Sequence, residues 1–315
     1  MPREAFPIGG YRVRPGHSRD LQLPLTKLVT GGEVTLPVRV LHGREPGPVV
    51  WLDAAIHGDE VVGTQIIHGV LGKLDPKAMR GTVIVVPVVN VLGFMTGDRY
   101  LPDRRDLNRV FPGSRRGSLA SRIAHLLMSE VVSKCSVGID LHSGSDRRSN
   151  LPQIRADLDD PATRDLALAF GAPVAFHAKL RDGSLRSAAR EAGATVLLYE
   201  AGEALRLDDW AVEAGVAGVL RVFTVLGLIA EQALPPPGAT RECRASGWVR
   251  ARRTGILYLD VDLGAVVQQG QRLGTLVDSF GTTLRAVYAD RDGIVIGRTF
   301  APVVHRGDAL VHIAQ

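Results

Sequence analysis

The stretch Val49-Val50-Trp51-Leu52-Asp53-Ala54-Ala55-Ile56 runs directly into His57-Gly58-Asp59-Glu60. A short, continuous apolar run of this kind reads as a strand buried on both faces, the pattern of parallel sheets covered by helices. A helix is expected next. Val62, Ile66, Ile67, Val70, Leu71 and Leu74 recur at helical spacing over residues 60–74, and Asp75-Pro76 stops it. Residues 82–89 repeat the buried-strand pattern, with Pro87 ending its ladder early.

Working outward, the polar segment 90–117 has too little periodicity for a helix or a strand, and loops this long inside a compact domain usually carry function. Ser118 is an N-cap for a helix through residue 133, followed by a strand at 137–141. The alternation continues with helix 161–170, strand 174–177, helix 184–192, strand 195–199 and helix 210–229. Such alternation predicts an α/β fold with a mainly parallel, mixed sheet and helices on both faces. Chemistry in these folds sits beyond the carboxyl ends of the strands. Leu234-Pro235-Pro236-Pro237-Gly238 then breaks the rhythm, and residues 239–315 read as short strands punctuated by glycine. Two domains are expected: an α/β domain over 1–238 and a small all-β domain over 239–315.

The composition excludes several classes. With 315 residues, 45% hydrophobic and 23% charged, the chain is a globular protein and not a disordered or low-complexity one. The net charge is +5, from 38 basic and 33 acidic residues, and only five of the basic residues are lysine. No block of five or six like charges occurs, and Arg250, Arg252 and Arg253 read as a solvated segment, so no nucleic-acid partner is expected. The two cysteines, Cys135 and Cys243, form no C-x-x-C unit, which points to a reducing, cytoplasmic setting. The first twenty residues lack the apolar run of a signal peptide. The most apolar helical stretch, 214–231, holds Arg221 at its middle and reads as a core helix, so no membrane partner is expected either. The oligomeric state is left open, with a homo-oligomer admitted.

G-x-G-x-x-G, Walker A, G-x-S-x-G and H-E-x-x-H are all absent, which removes the usual support for nucleotide binding and serine hydrolysis. His57 and Glu60, three residues apart across a strand-to-helix turn, can converge on one metal ion, with Gly58 permitting the bend. His142, in Asp140-Leu141-His142 at another strand end, would complete a His, Glu, His set that leaves a zinc position open for water. Asp140 lies on the same side of that strand and would orient His142. A third strand ends in Tyr199-Glu200-Ala201-Gly202-Glu203, where a carboxylate could move a proton between water and a leaving nitrogen. His68 and His125 read as helix-surface residues and His305 and His312 as structural ones; His177 closes a further strand end.

Five motifs in order carry a family resemblance: His57-Gly-Asp-Glu60, the segment Asn90 to Tyr100, Asp106-Leu107-Asn108-Arg109-Val110-Phe111-Pro112-Gly113, Asp140-Leu141-His142-Ser143, and Glu200-Ala-Gly202. Together they resemble the succinylglutamate desuccinylase/aspartoacylase family, a branch of the zinc carboxypeptidase-like superfamily. The resemblance implies that fold for the α/β domain and a barrel-sandwich, biotinyl/lipoyl-like fold for the C-terminal unit, which here has no lysine to carry a covalent cofactor. It implies one Zn²⁺ per chain on His57, Glu60 and His142, Glu200 as general acid/base, and Asn108 and Arg109 as holders of the substrate carboxylate. Arg99 matches a recurrent family arginine expected to line the active-site loop. Where the family reads Asn-Pro-Arg, this chain has Asn90-Val91-Leu92, and the loss of that arginine implies a less negatively charged substrate. The implied activity is a zinc amidohydrolase that removes an acyl group from an N-acyl amino acid or similar small amine. A zinc carboxypeptidase acting on short peptides would share the site, and a non-catalytic binding protein working through the β unit is the alternative of another class.

Overall fold

The structure, a computed structural model, describes residues 3–315. In chain order the elements are β1 (Phe6–Ile8), β2 (Tyr11–Val13), β3 (His17–Lys27), β4 (Glu33–His42), β5 (Glu45–Ala54), α1 (Val62–Leu71), β6 (Arg80–Val86), α2 (Val91–Thr96), α3 (Leu119–Glu130), β7 (Val137–Gly144), β8 (Arg148–Ala156), α4 (Pro161–Phe170), β9 (Val174–His177), α5 (Leu185–Glu191), β10 (Thr195–Glu203) and α6 (Asp209–Val225). The C-terminal strands follow as β11 (Arg241–Cys243), β12 (Ser246–Arg250), β13 (Gly255–Leu259), β14 (Val266–Val267), β15 (Arg272–Val277), β16 (Thr283–Tyr288), β17 (Gly293–Thr299), β18 (Val303–Val304) and β19 (Ala309–Ala314).

Alternation along β5 explains its place at the centre. Val50, Leu52 and Ala54 point into a core shared with α1, α4 and α6, and Trp51 points into the opposite core with α3 and α5. Strands β6, β5, β7 and β10 lie parallel in that order, as the buried apolar runs predict. The sheet as a whole is less parallel than expected. A β3–β4 hairpin adds antiparallel to β6, and β8 adds antiparallel to β10, so the result is a mixed sheet of 13 strands.

The long segment after β6 also differs from expectation, because residues 90–117 hold a short helix, α2, and a 3-10 turn over Leu107–Arg109. Both are fixed by local caps and not by periodicity: Asn90 Oδ1 accepts from Gly93 N at 2.9 Å, and Asp106 Oδ1 accepts from Asn108 N at 2.9 Å. Helix α1 begins at Val62, leaving Glu60 in the turn before it.

Residues 239–315 are all strand and loop, with their own apolar core around Val249, Leu273, Val287, Val295 and Leu310. A four-stranded antiparallel sheet, β16-β15-β13-β18, belongs to this unit alone. The other strands join the large sheet, where β17 pairs with β8 and β11 pairs with β9. Among the described residues no helix is long and apolar enough to cross a membrane.

Strands β5 and β7 must lie close for the site to form. Gly138 on β7 sits opposite Trp51 on β5, and a Cβ there would come within 2.0 Å of the Trp51 ring. Trp51 is fully buried, so it cannot yield. Gly138→Ala should cost about 1–3 kcal/mol by overpacking. A urea titration should show a lower midpoint with an unchanged slope. An unchanged midpoint would contradict this packing.

Candidate metal centre

The residues that end β5, β7 and β10 meet at one place. After β5 the chain turns through His57, and Glu60 N donates back to His57 O at 3.2 Å. Gly58 is required by close approach: a Cβ there would lie 2.1 Å from Gly93 C and 2.4 Å from Phe94 N, the backbone of α2. Glu60 Oε1 lies 2.8 Å from His57 Nδ1, and Glu60 Oε2 lies 2.6 Å from His142 Nδ1. The ligand atoms of these three buried residues all fall within 4.8 Å of one another and form a group that could hold a metal ion.

The far nitrogen of each ring also faces a carboxylate. His57 Nε2 lies 3.2 Å from Asp106 Oδ1, and His142 Nε2 lies 2.9 Å from Asp140 Oδ1. Two imidazoles that turn Nδ1 inward and Nε2 toward a carboxylate have the arrangement typical of metal-binding histidines. Arg99 ties the group to the loop, with Nη1 bonded to Glu60 Oε1 at 3.1 Å and Ser145 Oγ at 2.7 Å, and Nη2 bonded to Asp106 Oδ2 at 3.1 Å.

Electrostatics follow from burial and pairing. Burial alone would raise the Glu60 carboxyl, but the charges of His57 and His142 outweigh it and hold Glu60 well below the usual carboxylate range. Burial would lower His142, yet Asp140 and then Glu60 raise it well above the usual imidazole value; His57 is raised for the same kind of reason by Glu60 and Asp106. Behind this group, Asp53 on β5 faces Asp140 on β7, and burial followed by the Asp140 charge raises its carboxyl well above normal. Trp51 Nε1 donates to Asp53 Oδ1 at 2.7 Å.

A cavity of about 500 Å³ opens in front of the group. His57, Glu60, His142, Arg99, Asn108, Arg109 and Glu200 all line it, so the site residues expected from the sequence are brought together, with Asp140 just behind His142. Glu200 on β10 is the register partner of His142 on β7. Glu203, in the same strand end, is not among the lining residues and faces Arg206 at 3.6 Å. Asn108 accepts at Oδ1 from Leu185 N at 2.8 Å, which leaves its amide hydrogens for a ligand.

One expectation is revised, that for His312, and the structure also places Leu92 and His177. Leu92 is partly buried against the core that holds Trp51 and is not among the residues lining the cavity. His312, expected to be structural, lines the cavity from the C-terminal unit together with Trp248, on which it stacks at 4.5 Å. His177 lies beside Asp157 and Asp159 at 3.9 and 3.7 Å, with Asp157 also paired to Arg190 and Asp159 to Arg244.

Sequence reasoning missed further lining residues, four of them on β8 and α5. Asn150 and Arg155 come from β8, Arg186 from α5, and Arg148 from the start of β8. Arg186 is buried, with Nη1 unpaired, and Arg155 Nε is likewise buried and unpaired. Burial and the neighbouring Arg155 lower the Arg186 pKa, as expected of like charges side by side. With Arg99, Arg109, Arg181 and Lys179, the cavity carries seven cationic side chains against the carboxylates of Glu60 and Glu200.

The chain is similar to known proteins along most of its length. The profile of the succinylglutamate desuccinylase/aspartoacylase catalytic domain matches residues 46–226. The N-alpha-acetyl-L-2,4-diaminobutyric acid deacetylase of Halomonas elongata is 30% identical over 309 residues, covering 94% of this chain and 90% of that protein. A crystal structure of succinylglutamate desuccinylase/aspartoacylase from Rhodobacter sphaeroides superposes with a TM-score of 0.83 at 29% identity, over 95% of each chain. The product-bound ectoine utilization protein EutE (DoeB) from Ruegeria pomeroyi gives a TM-score of 0.85 at 25% identity, over 99% of this chain and 98% of that one.

Proposed function

Because this chain belongs to the succinylglutamate desuccinylase/aspartoacylase family, we propose that it is a zinc-dependent deacylase that frees the amine of an N-acyl amino acid. The observation that carries this reading is the convergence of His57, Glu60 and His142 in one cavity with Glu200. The donor set suits zinc: two imidazoles and a carboxylate, buried, with both rings backed by carboxylates. A zinc ion held by these three residues would lower the pKa of a bound water toward about 7 and polarise the scissile carbonyl.

The chain's own residues do the rest. Glu200 takes a proton from the attacking water and returns it to the amine nitrogen as the amide bond breaks. Arg99, fixed by Glu60, Asp106 and Ser145, presents positive charge where the carbonyl oxygen becomes negative. Asn108 and Arg109 hold the α-carboxylate of the substrate, which aligns the amide for attack. Asp140 keeps the His142 ring turned with Nδ1 toward Glu60.

The unpaired donors Arg155 Nε and Arg186 Nη1 favour a second anionic group on the substrate, because a buried donor without an acceptor is costly. A side-chain ammonium, as in acetylated diaminobutyric acid, would meet like charge there. Trp248 and His312 narrow the cavity from the C-terminal side, which favours small substrates over peptides. Hydrolysis of a panel of N-acyl amino acids and short peptides tests both points. N-acetylglutamate should exceed Nα-acetyl-2,4-diaminobutyrate by about tenfold or more in kcat/KM, which corresponds to about 1.4 kcal/mol. Faster turnover of peptides than of any N-acyl amino acid would replace this reading with the carboxypeptidase one.

A further inference from the structure

The C-terminal strands reach the catalytic carboxylate through one close contact. Strand β17 pairs antiparallel with β8, placing Gly297 opposite Asn150, and β19 and β12 bring His312 and Trp248 alongside. Asn150 is 6% exposed, and its Nδ2 donates to Glu200 Oε2 at 2.5 Å. Its Oδ1 rests against Gly297, where a Cβ would lie 2.9 Å from that oxygen and 3.4 Å from His312 Cβ. His312 cannot retreat: it is stacked on Trp248 and its Nε2 is 2.9 Å from Ser246 Oγ. The need for glycine here is therefore steric, a close approach between two strands.

Taking Glu200 as the proton carrier, as the proposed function does, we propose that Asn150 is the positioning residue for Glu200 and that Gly297 of the C-terminal unit makes that position available. Asn150 and Arg155, whose Nη2 is 3.5 Å away, both address Oε2. Oε1 is thereby left to exchange a proton with the substrate. An amide suits this task because it donates a hydrogen bond without competing for the proton. The C-terminal unit is then part of the catalytic apparatus, since a methyl group at Gly297 would displace the Asn150 amide, which lies between β17 and β10, from the position in which it holds Glu200.

The test is a double-mutant cycle of Asn150→Ala and Gly297→Ala, with kcat and KM measured on an N-acyl amino acid that the wild type hydrolyses. Zinc-induced thermal stabilisation serves as the check on folding. Asn150→Ala should lower kcat about tenfold or more, the loss of one hydrogen bond to a charged group, with KM changed by less than about twofold. Gly297→Ala should do the same, and the double variant should be no worse than Asn150→Ala alone, because both remove one interaction. Multiplying losses in the double variant, or wild-type kcat in Asn150→Ala, would overturn the proposal. Should Gly297→Ala not fold, Asn150→Ala decides alone, with a loss confined to kcat supporting the proposal. Glu200→Gln measured in parallel separates the two levels. If it is active, the reading of Glu200 itself fails; if it is inactive beside a fully active Asn150→Ala, only the positioning role fails.

Discussion

His142→Ala is expected to abolish turnover and zinc binding together. The ring is one of three buried groups whose ligand atoms converge, and its removal leaves Glu60 facing a gap and Asp140 without the partner 2.9 Å away. Losing a mere outer-sphere partner of a metal ligand costs about 10–100-fold in metal affinity, so losing the ligand itself should cost at least about a hundredfold in kcat/KM. Thermal denaturation with and without added zinc checks this, since a ligand that binds only the folded state raises the melting temperature. The wild type should be stabilised and the variant should not. The pH dependence has a definite sign. In the metal-free protein His57 and His142 have raised pKa values, so the stability they contribute is complete below the ordinary imidazole value near 6.5 and is lost as pH rises through the raised values. Metal must displace those protons, so its affinity runs the opposite way. The zinc-induced rise in melting temperature should therefore grow between about pH 6 and about pH 8. A shift of equal size across that range, or a His142→Ala protein that zinc still stabilises fully, would remove this group as the metal site.

How much of this was legible in the sequence depended on whether a feature is local. His57, Glu60, His142 and Glu200 were readable because each lies near or just beyond the end of a buried apolar strand, and such strands announce themselves by composition. Strand β8 was invisible for the opposite reason. It carries Arg148, Asn150, Gln153 and Arg155 and is interrupted by Pro152, and the polar side chains that hide it from a hydrophobicity reading are the ones that face the cavity or lie beside Glu200. The β3–β4 hairpin was missed because β3 is largely exposed, with Leu21 and Leu23 as its buried residues. A buried acid within an apolar run, Asp53, was a signal in plain view, since such a group needs a partner and here that partner is the indole N–H of Trp51. The contact of Gly297 with Asn150 had no local signal at all, because it exists only once two distant strands have paired.

Glu200→Gln should lower kcat by about 10²–10⁴-fold, the usual weight of a general acid/base, while leaving zinc binding intact. Glutamine keeps the length and shape of the side chain and can still accept from Asn150, so the fold and the cavity should be preserved. What it cannot do is take up a proton. The zinc-induced thermal shift should therefore match that of the wild type, and KM should move little, since Asn108 and Arg109 hold the substrate independently of this group. That pattern, a loss in kcat with metal and substrate affinity retained, separates Glu200 from the metal ligands, whose loss removes both. It also separates Glu200 from Glu203, the other carboxylate of the same strand end. Glu203 lies outside the cavity beside Arg206, so Glu203→Gln should retain turnover near the wild-type rate. If the two variants behaved the other way round, proton transfer would have to be reassigned to Glu203, and strand β10 would need a different register at its bulge between Glu200 and Glu203 to bring that carboxylate into the cavity.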